Sequence, residues 1–430
     1  MTSIDSRRER VAKNWGLTDE IVIIRSGSLV PIDGTDMHYP YQPHPNFAYL
    51  AAVGVPDAVL TYDAQQNHWE IFGPRATSDE LVWEQSSQNL GIPLAELEKW
   101  LASRPNRKIC EANTDLRLNQ GIGEARIYKD EDELEDLRRA AITSRAGFDW
   151  VFANASVGMT EREIQVGMEA EFFKAGAPRT AYQSIVASGP NGAFLHFFYG
   201  QDDTLRPTSR SLEAGDMLLI DAGGQIGGYA SDVTRSMVVG AKPTDTQDFL
   251  WHLIQRTQEV AIDRCRPGAE WREIHLESAK MIGNGLIELG LLKGDIDSLV
   301  SSGAVALFYP HGLGHLIGLA VHDSGGYQKS REPSSHPQLR YLRTDRVLEK
   351  GMITSVEPGV YFIEALLQDP ENQHTFANEV NFELADDMKS FGGIRIEDDV
   401  HCTQSGPEVL TDAIPKERAA VEALVGSASS

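Results

Sequence analysis

The strongest constraint on this 430-residue chain is a set of carboxylates embedded in text that otherwise reads as buried strand. DMLLIDAGG (216–224) is an apolar strand ending in Asp221, and GYASDVTRSMVV (228–239) opens a second strand with Asp232, eleven positions later. MITSVEPGVYF (352–362) sets Glu357 inside an apolar run, and GGIRIEDDV (392–400) does the same for Glu397, with Arg395 two residues before it. Ionised carboxylates avoid such positions unless they are paired, hydrogen-bonded or metal-bound. Two acids a strand-turn-strand apart can also lie side by side at the mouth of a hairpin. Taken singly, each acid has a plain structural reading: Asp232 capping a turn, Glu357 ending a strand before Pro358, Glu397 paired with Arg395. Together they point to a metal-dependent hydrolase.

Histidines add to the set. LHFFYG (195–200) carries His196, and HGLGHLIGLAVHD (311–323) carries His311, His315 and His322. His311 and His315 stand at i and i+4, a spacing that would share a helix face. No glutamate lies between them, however, and Gly312, Gly314 and Gly318 make a poor helix. Leu316, Ile317, Leu319 and Val321 suit a buried strand better.

Up to about residue 122 the chain alternates strand-like and helix-like text. EIVIIRSG (20–27), AYLAAVG (48–54), DAVLTYD (57–63) and HWEIFGP (68–74) read as short strands, and PLAELEKWLASR (93–104) as a helix opened by Pro93. The two histidines of the loop-like stretch 34–47, His38 and His44, read as surface residues. The charged segment 128–155 has Leu134, Leu137, Ala141, Phe148 and Val151 on one helical face, with acids at its start as the helix dipole prefers. It opens a larger domain. Residues 1–122 and 123–430 are the expected domains. Within the second, GMTEREIQ (158–165) and GAEWREIH (268–275) match at Gly, Arg, Glu and Ile, which suggests two similar α+β halves enclosing a cleft.

Bulk composition narrows the function classes. The 39 basic and 63 acidic residues leave a formal charge of -24, which argues against a nucleic-acid partner. The three cysteines, Cys110, Cys265 and Cys402, show no CxxC spacing, which fits a reducing cytoplasm. MTSIDSRRERVAKNW has no apolar signal core, and no stretch approaches the ~18 apolar residues of a membrane span. A cytoplasmic protein with no membrane partner is expected.

In order, DAGGQIGGYASD, HGLGHLIGLAVHD, EPGVYF and GGIRIEDDV resemble the pita-bread metallopeptidases (M24), on the prolidase and aminopeptidase P branch. The resemblance implies an α+β fold: a pita-bread catalytic domain preceded by a smaller mixed α/β creatinase-like domain. It implies that Asp221, Asp232, His315, Glu357 and Glu397 hold two divalent metals, most often Mn2+, with Co2+, Zn2+ or Fe2+ as alternatives, and that Asp232 and Glu397 bridge them. Four carboxylates and a neutral imidazole would balance two dications, and a mostly oxygen shell suits a hard cation. The reaction implied is hydrolysis of Xaa-Pro bonds in dipeptides or short peptides by a metal-bridging hydroxide. Glu357 would also shuttle the proton, His196 and His322 would act catalytically on the substrate, and His311 and Arg395 would line its pocket. Tyr229 and Arg395 are expected behind the ligands. The family is often homodimeric.

Prolidases usually carry an arginine between the EPG and RIED motifs to grip the dipeptide carboxylate. From Glu364 to Ile394 this chain has none, only Lys389 and His374 as cations, while Arg331, Arg340, Arg343 and Arg346 lie just upstream of EPG. Aminopeptidase action on longer Xaa-Pro peptides is therefore an alternative, as is hydrolysis of a non-peptide ester or amide such as an organophosphorus compound. A binding module that has lost catalysis would lack the five ligands, and all five residues are present.

Overall fold

In the computed structural model, which describes residues 2–83, 89–198 and 209–425, the β-branched runs near the N-terminus form one mixed sheet. Its strand order is Ile92–Pro93, His68–Gly73, Val59–Asp63, Ile21–Arg25, Ile109–Glu111. The three runs expected at 20–27, 57–63 and 68–74 are all in it. AYLAAVG is not a strand: its first four residues end helix Pro45–Ala51, and Ala52 caps it. Pro45 presets the first helical turn, and the His44 imidazole accepts the Asn46 N–H at 3.2 Å, so a local cap outweighs the β-like side chains. PLAELEKWLASR begins as a 3-10 turn, Leu94–Glu96, and continues as helix Leu97–Ala102. The chain divides between Tyr128 and Lys129, and residue 122 falls inside helix Leu116–Arg126.

Among the described residues, the second unit, Lys129–Ser430, carries two pairs of long helices, several short helices and four small sheets. The charged segment forms helix Glu131–Asn154, started by a capping box between Asp130 and Glu133. It packs on helix Glu161–Lys174, whose own capping box is Thr160 with Glu163. Helices Asp245–Arg264 and Trp271–Glu288 form the corresponding pair in the second half. The weak repeat thus marks the start of the second helix in each pair. Phe148, Phe172, Trp251 and Leu286 lie in one shared apolar core. Burying that many large side chains is the dominant stabilising term, at about 2–3 kcal/mol for each.

Sheet pairing sets the acids side by side. Met217–Asp221 pairs antiparallel with Thr234–Val238, Asp221 opposite Thr234. Ile353–Val356 pairs antiparallel with Asp398–Thr403, and Gly359–Tyr361 with Gly393–Arg395. Glu357 and Glu397 therefore sit at breaks between two strands rather than within one. The Glu397 N–H donates to the Thr234 carbonyl at 3.1 Å, which joins the two hairpins at the level of the acids.

The segment 311–323 is neither helix nor regular strand; its one β-bridge is Leu316 to Thr354. It lies along Ile353–Val356: Ser355 N–H donates to the His315 carbonyl (2.8 Å) and Glu357 N–H to the Leu313 carbonyl (2.8 Å). The reciprocal bond is made by a side chain, since His315 N–H donates to Ser355 Oγ at 3.0 Å. Among the described residues, no helix is long and apolar enough to cross a membrane.

Candidate metal centre

Asp232, His315 and Glu397, all buried, each offer a ligand atom, and those atoms lie within 4.8 Å of one another. His315 Nε2 is 3.3 Å from Asp232 Oδ2 and 3.6 Å from Glu357 Oε1. Asp221 joins through Tyr182, whose hydroxyl lies 2.6 Å from Asp221 Oδ1 and 2.5 Å from Asp232 Oδ1. All five residues expected as ligands line one cavity of about 1310 Å³, together with His196, His311, His322 and Arg395.

Electrostatics single this cluster out. Burial first, and then the neighbouring acids, push the Asp232 and Glu397 carboxyls well above the ordinary range. Burial raises Glu357 to about 7, although His315 and Arg395 pull the other way. The His315 imidazole is lowered by burial, which favours the neutral form that a metal ligand needs. Four crowded carboxylates with a neutral imidazole form a donor set short of positive charge, mostly oxygen, with no thiolate. The residues present fit a divalent cation.

Arg395 is held by three side chains at the edge of the acid cluster. Its Nη2 donates to Asp221 Oδ2 (2.6 Å), Nη1 to the Tyr361 hydroxyl (2.8 Å) and Nε to Thr234 Oγ1 (3.0 Å). Thr234 Oγ1 donates in turn to Glu397 Oε2 at 2.6 Å. The guanidinium thus holds Asp221 directly and Glu397 through Thr234, while Arg395 also lines the cavity. Tyr229 makes a different contact. Its hydroxyl donates to Glu133 (2.9 Å) within a small apolar cluster, and it is not part of the cavity wall. The tyrosine on the acids is Tyr182, which sits in RTAYQSIVAS, text with no motif to flag it.

His311 lines the cavity with Nε2 2.9 Å from the Tyr361 hydroxyl and Nδ1 3.9 Å from Glu357 Oε2. The His322 ring stands edge-on to His315 at 4.4 Å, and burial lowers its pKa to about 3. His196 stacks on Phe198 at 5.8 Å and is also lowered, mainly by burial and then by Arg395.

The glycines of 311–323 act by absence of a side chain. A Cβ on Gly314 would stand 2.1 Å from the Ser355 carbonyl oxygen. Gly314→Ala must push His315 away from the strand that seats it. The expected result is about a 100-fold loss of turnover with lowered metal content and an unchanged circular dichroism spectrum. Full metal loading would contradict this account of the segment.

A buried donor set of this kind fits the site of a metal-dependent hydrolase, the class to which the comparisons also point. Residues 135–404 match the model of metallopeptidase family M24, and residues 4–90 that of the aminopeptidase P N-terminal domain. The chain belongs to metallopeptidase family M24 and has its pita-bread fold. It is 37% identical to human Xaa-Pro dipeptidase over 316 residues, covering 73% of this chain but only 63% of the human protein. It is 30% identical to a probable Xaa-Pro aminopeptidase of Emericella nidulans, over 99% of this chain and 100% of that one. Aminopeptidase P from E. coli with the inhibitor Pro-Leu superposes with a TM-score of 0.81 at 26% identity, covering 99% and 98% of the two chains.

Proposed function

We propose that the chain hydrolyses the Xaa-Pro bond of dipeptides, and that Asp221, Asp232, His315, Glu357 and Glu397 would hold the two divalent cations this chemistry needs. The convergence of these donors with three histidines on one cavity, in a chain of family M24, carries the reading. Cations bound there, Mn2+ above all, would supply an activated water near neutral pH and a Lewis acid for the scissile carbonyl. Glu357 accepts the proton released by the attacking water and passes it to the prolyl nitrogen, which has no N–H of its own. His196 and His322, kept neutral by burial, donate to the oxygen that gains charge. A homodimer in the cytoplasm is part of the proposal and rests on resemblance.

Dipeptide selectivity draws support from the arginines upstream of EPG. Arg331 is bound to Glu270 and Asp345, and Arg346 donates to the Gly325 carbonyl. Arg340 and Arg343 line the cavity. Arg340 is engaged with Tyr341, whereas the Arg343 guanidinium makes no hydrogen bond or ion pair with another described residue. Arg343 is thus placed to grip a free carboxylate. Replacing it by methionine should raise KM for Ala-Pro about 10- to 100-fold, the value of a charge-assisted bond, and leave Ala-Pro amide unaffected.

Aminopeptidase action on longer peptides has its own support in the cavity volume and in the full-length match to the fungal aminopeptidase. Incubating the Mn2+-loaded protein with Ala-Pro, Ala-Pro-Gly and Ala-Ala, with product masses read out, separates the two. The dipeptidase reading expects Ala-Pro alone to be cleaved, and cleavage of Ala-Pro-Gly at the same bond would favour the other. Hydrolysis of no Xaa-Pro peptide defeats both.

A further inference from the structure

Just outside the metal centre lies a buried ion pair that none of the steps above uses. Lys129 Nζ is 3.2 Å from Asp323 Oδ2, and both side chains are 1% exposed. Asp323 follows His322 directly. Its N–H donates to the Leu316 carbonyl at 2.8 Å, which closes residues 316–323 into a loop whose two ends touch. The loop floor is Gly318, where a Cβ would meet Asp323 Oδ2 at 2.1 Å and Lys129 Nζ at 3.1 Å. The Gly318 carbonyl in turn accepts the Ala230 N–H at 2.9 Å, two residues from Asp232. Lys129 is itself anchored at both sides: its N–H donates to the Gly351 carbonyl at 3.0 Å, and Asp130 caps the helix that follows.

Burying two charges in this way costs several kcal/mol of desolvation, and apolar side chains of similar volume usually serve stability at least as well. The geometry supplies another reason for the pair. The loop holds no regular backbone ladder, and its polar end must place one imidazole edge-on to His315. We propose that Lys129 and Asp323 are positioning residues that hold the His322 imidazole against His315, so that it meets the substrate in one orientation. The pair joins the start of the long helix to the residue after His322, so the ring position is set by the frame of the domain. The proposal rests on the reading of His322 as a group that contacts substrate.

The test compares Lys129→Met, the double variant Lys129→Met/Asp323→Leu, and both in a His322→Ala background, all in the metal-loaded full chain. Lys129→Met removes the ammonium that Asp323 faces at 3.2 Å, so it should melt early and lose kcat. The double variant should regain the wild-type melting temperature, keep its bound metal, and still show kcat lowered about 10- to 100-fold with KM within about threefold. In the His322→Ala background the double variant should cause no further loss, because an effect transmitted through one ring can be lost only once. Full kcat in the double variant, or losses that multiply in the His322→Ala background, would overturn the proposal. The 15N resonances of the His322 ring, read in the chain loaded with diamagnetic Zn2+ and assigned by difference from His322→Ala, supply a readout without substrate. They should shift in the double variant, and unchanged resonances count against the pair. If the wild-type chain cleaves no Xaa-Pro peptide, the functional reading fails while this spectroscopic comparison still decides the positioning role.

Discussion

Asp232→Asn is expected to remove bound metal and turnover together. Asp232 lies at the centre of the cluster: one oxygen is 2.5 Å from the Tyr182 hydroxyl, and the other is 3.3 Å from His315 Nε2. With His315 and Glu397 it completes the set of ligand atoms lying within 4.8 Å. Asparagine keeps the shape but offers one acceptor oxygen and no charge, so the donor set no longer balances the cations. Elemental analysis should find metal at background level, and kcat should fall on the order of 10³-fold or more. Metal-free protein should respond in the opposite sense. The Asp232 carboxyl is pushed up by burial and by Asp221, so above the pKa of the unfolded chain its charge opposes folding. The metal-free variant should therefore melt above the metal-free wild type. Retained activity in Asp232→Asn would sink the site assignment.

A comparably large effect on stability is expected at Asp398, the residue next to Glu397. Asp398 is fully buried and accepts from Arg235 Nη2 (2.7 Å), Lys416 Nζ (2.6 Å), Gln258 Nε2 (2.9 Å) and Thr411 Oγ1 (2.7 Å). Burial alone would raise its pKa, but Arg235 and then Lys416 outweigh that and hold the carboxyl well below the usual carboxylate range. A depressed folded-state pKa contributes stability that is present above the unfolded value, near 4, and is lost as the pH falls below it. Acid unfolding should therefore begin below about pH 4. Asp398→Ala leaves the buried Arg235 and the half-buried Lys416 without their counter-charge, at a cost of about 3–5 kcal/mol. At the ~2 °C per kcal/mol of a large domain, the melting temperature should drop by roughly 6–10 °C, read by calorimetry. Arg235 Nη1 also donates to the Glu397 carbonyl at 2.6 Å, so turnover should fall with it. Unchanged melting would mean that Arg235 and Lys416 find other partners.

The two aspartates show where sequence reading reaches and where it stops. Asp232 stands out from its text, because an acid opening an apolar strand needs a partner. Asp398 does not. It follows Glu397 in IEDDV and looks like one more charge, yet it is the anchor of that strand. AYLAAVG misled for a related reason, since its helix depends on a proline and a histidine lying before the run.

The sequence by itself determined which acids are embedded in apolar text, the strand text that carries them and the glycines that let 311–323 press against Ile353–Val356. Those are short-range facts: a carboxylate in an apolar run is unfavourable wherever the run goes, and a missing Cβ is local. Only the tertiary structure decided which groups stand behind the donors. Tyr182 reaches Asp232 across 50 residues of chain, and Arg395 reaches Asp221 across 174. It also left Arg343, among four upstream arginines, without a hydrogen bond or ion pair to another described residue, and tied up the guanidinium of Arg395. Tyrosine and arginine are equally at home in a core, in an ion pair or in a site, and neither residue type nor spacing distinguishes those fates. Burial and hydrogen-bond partners do, and both are set by segments remote in the chain.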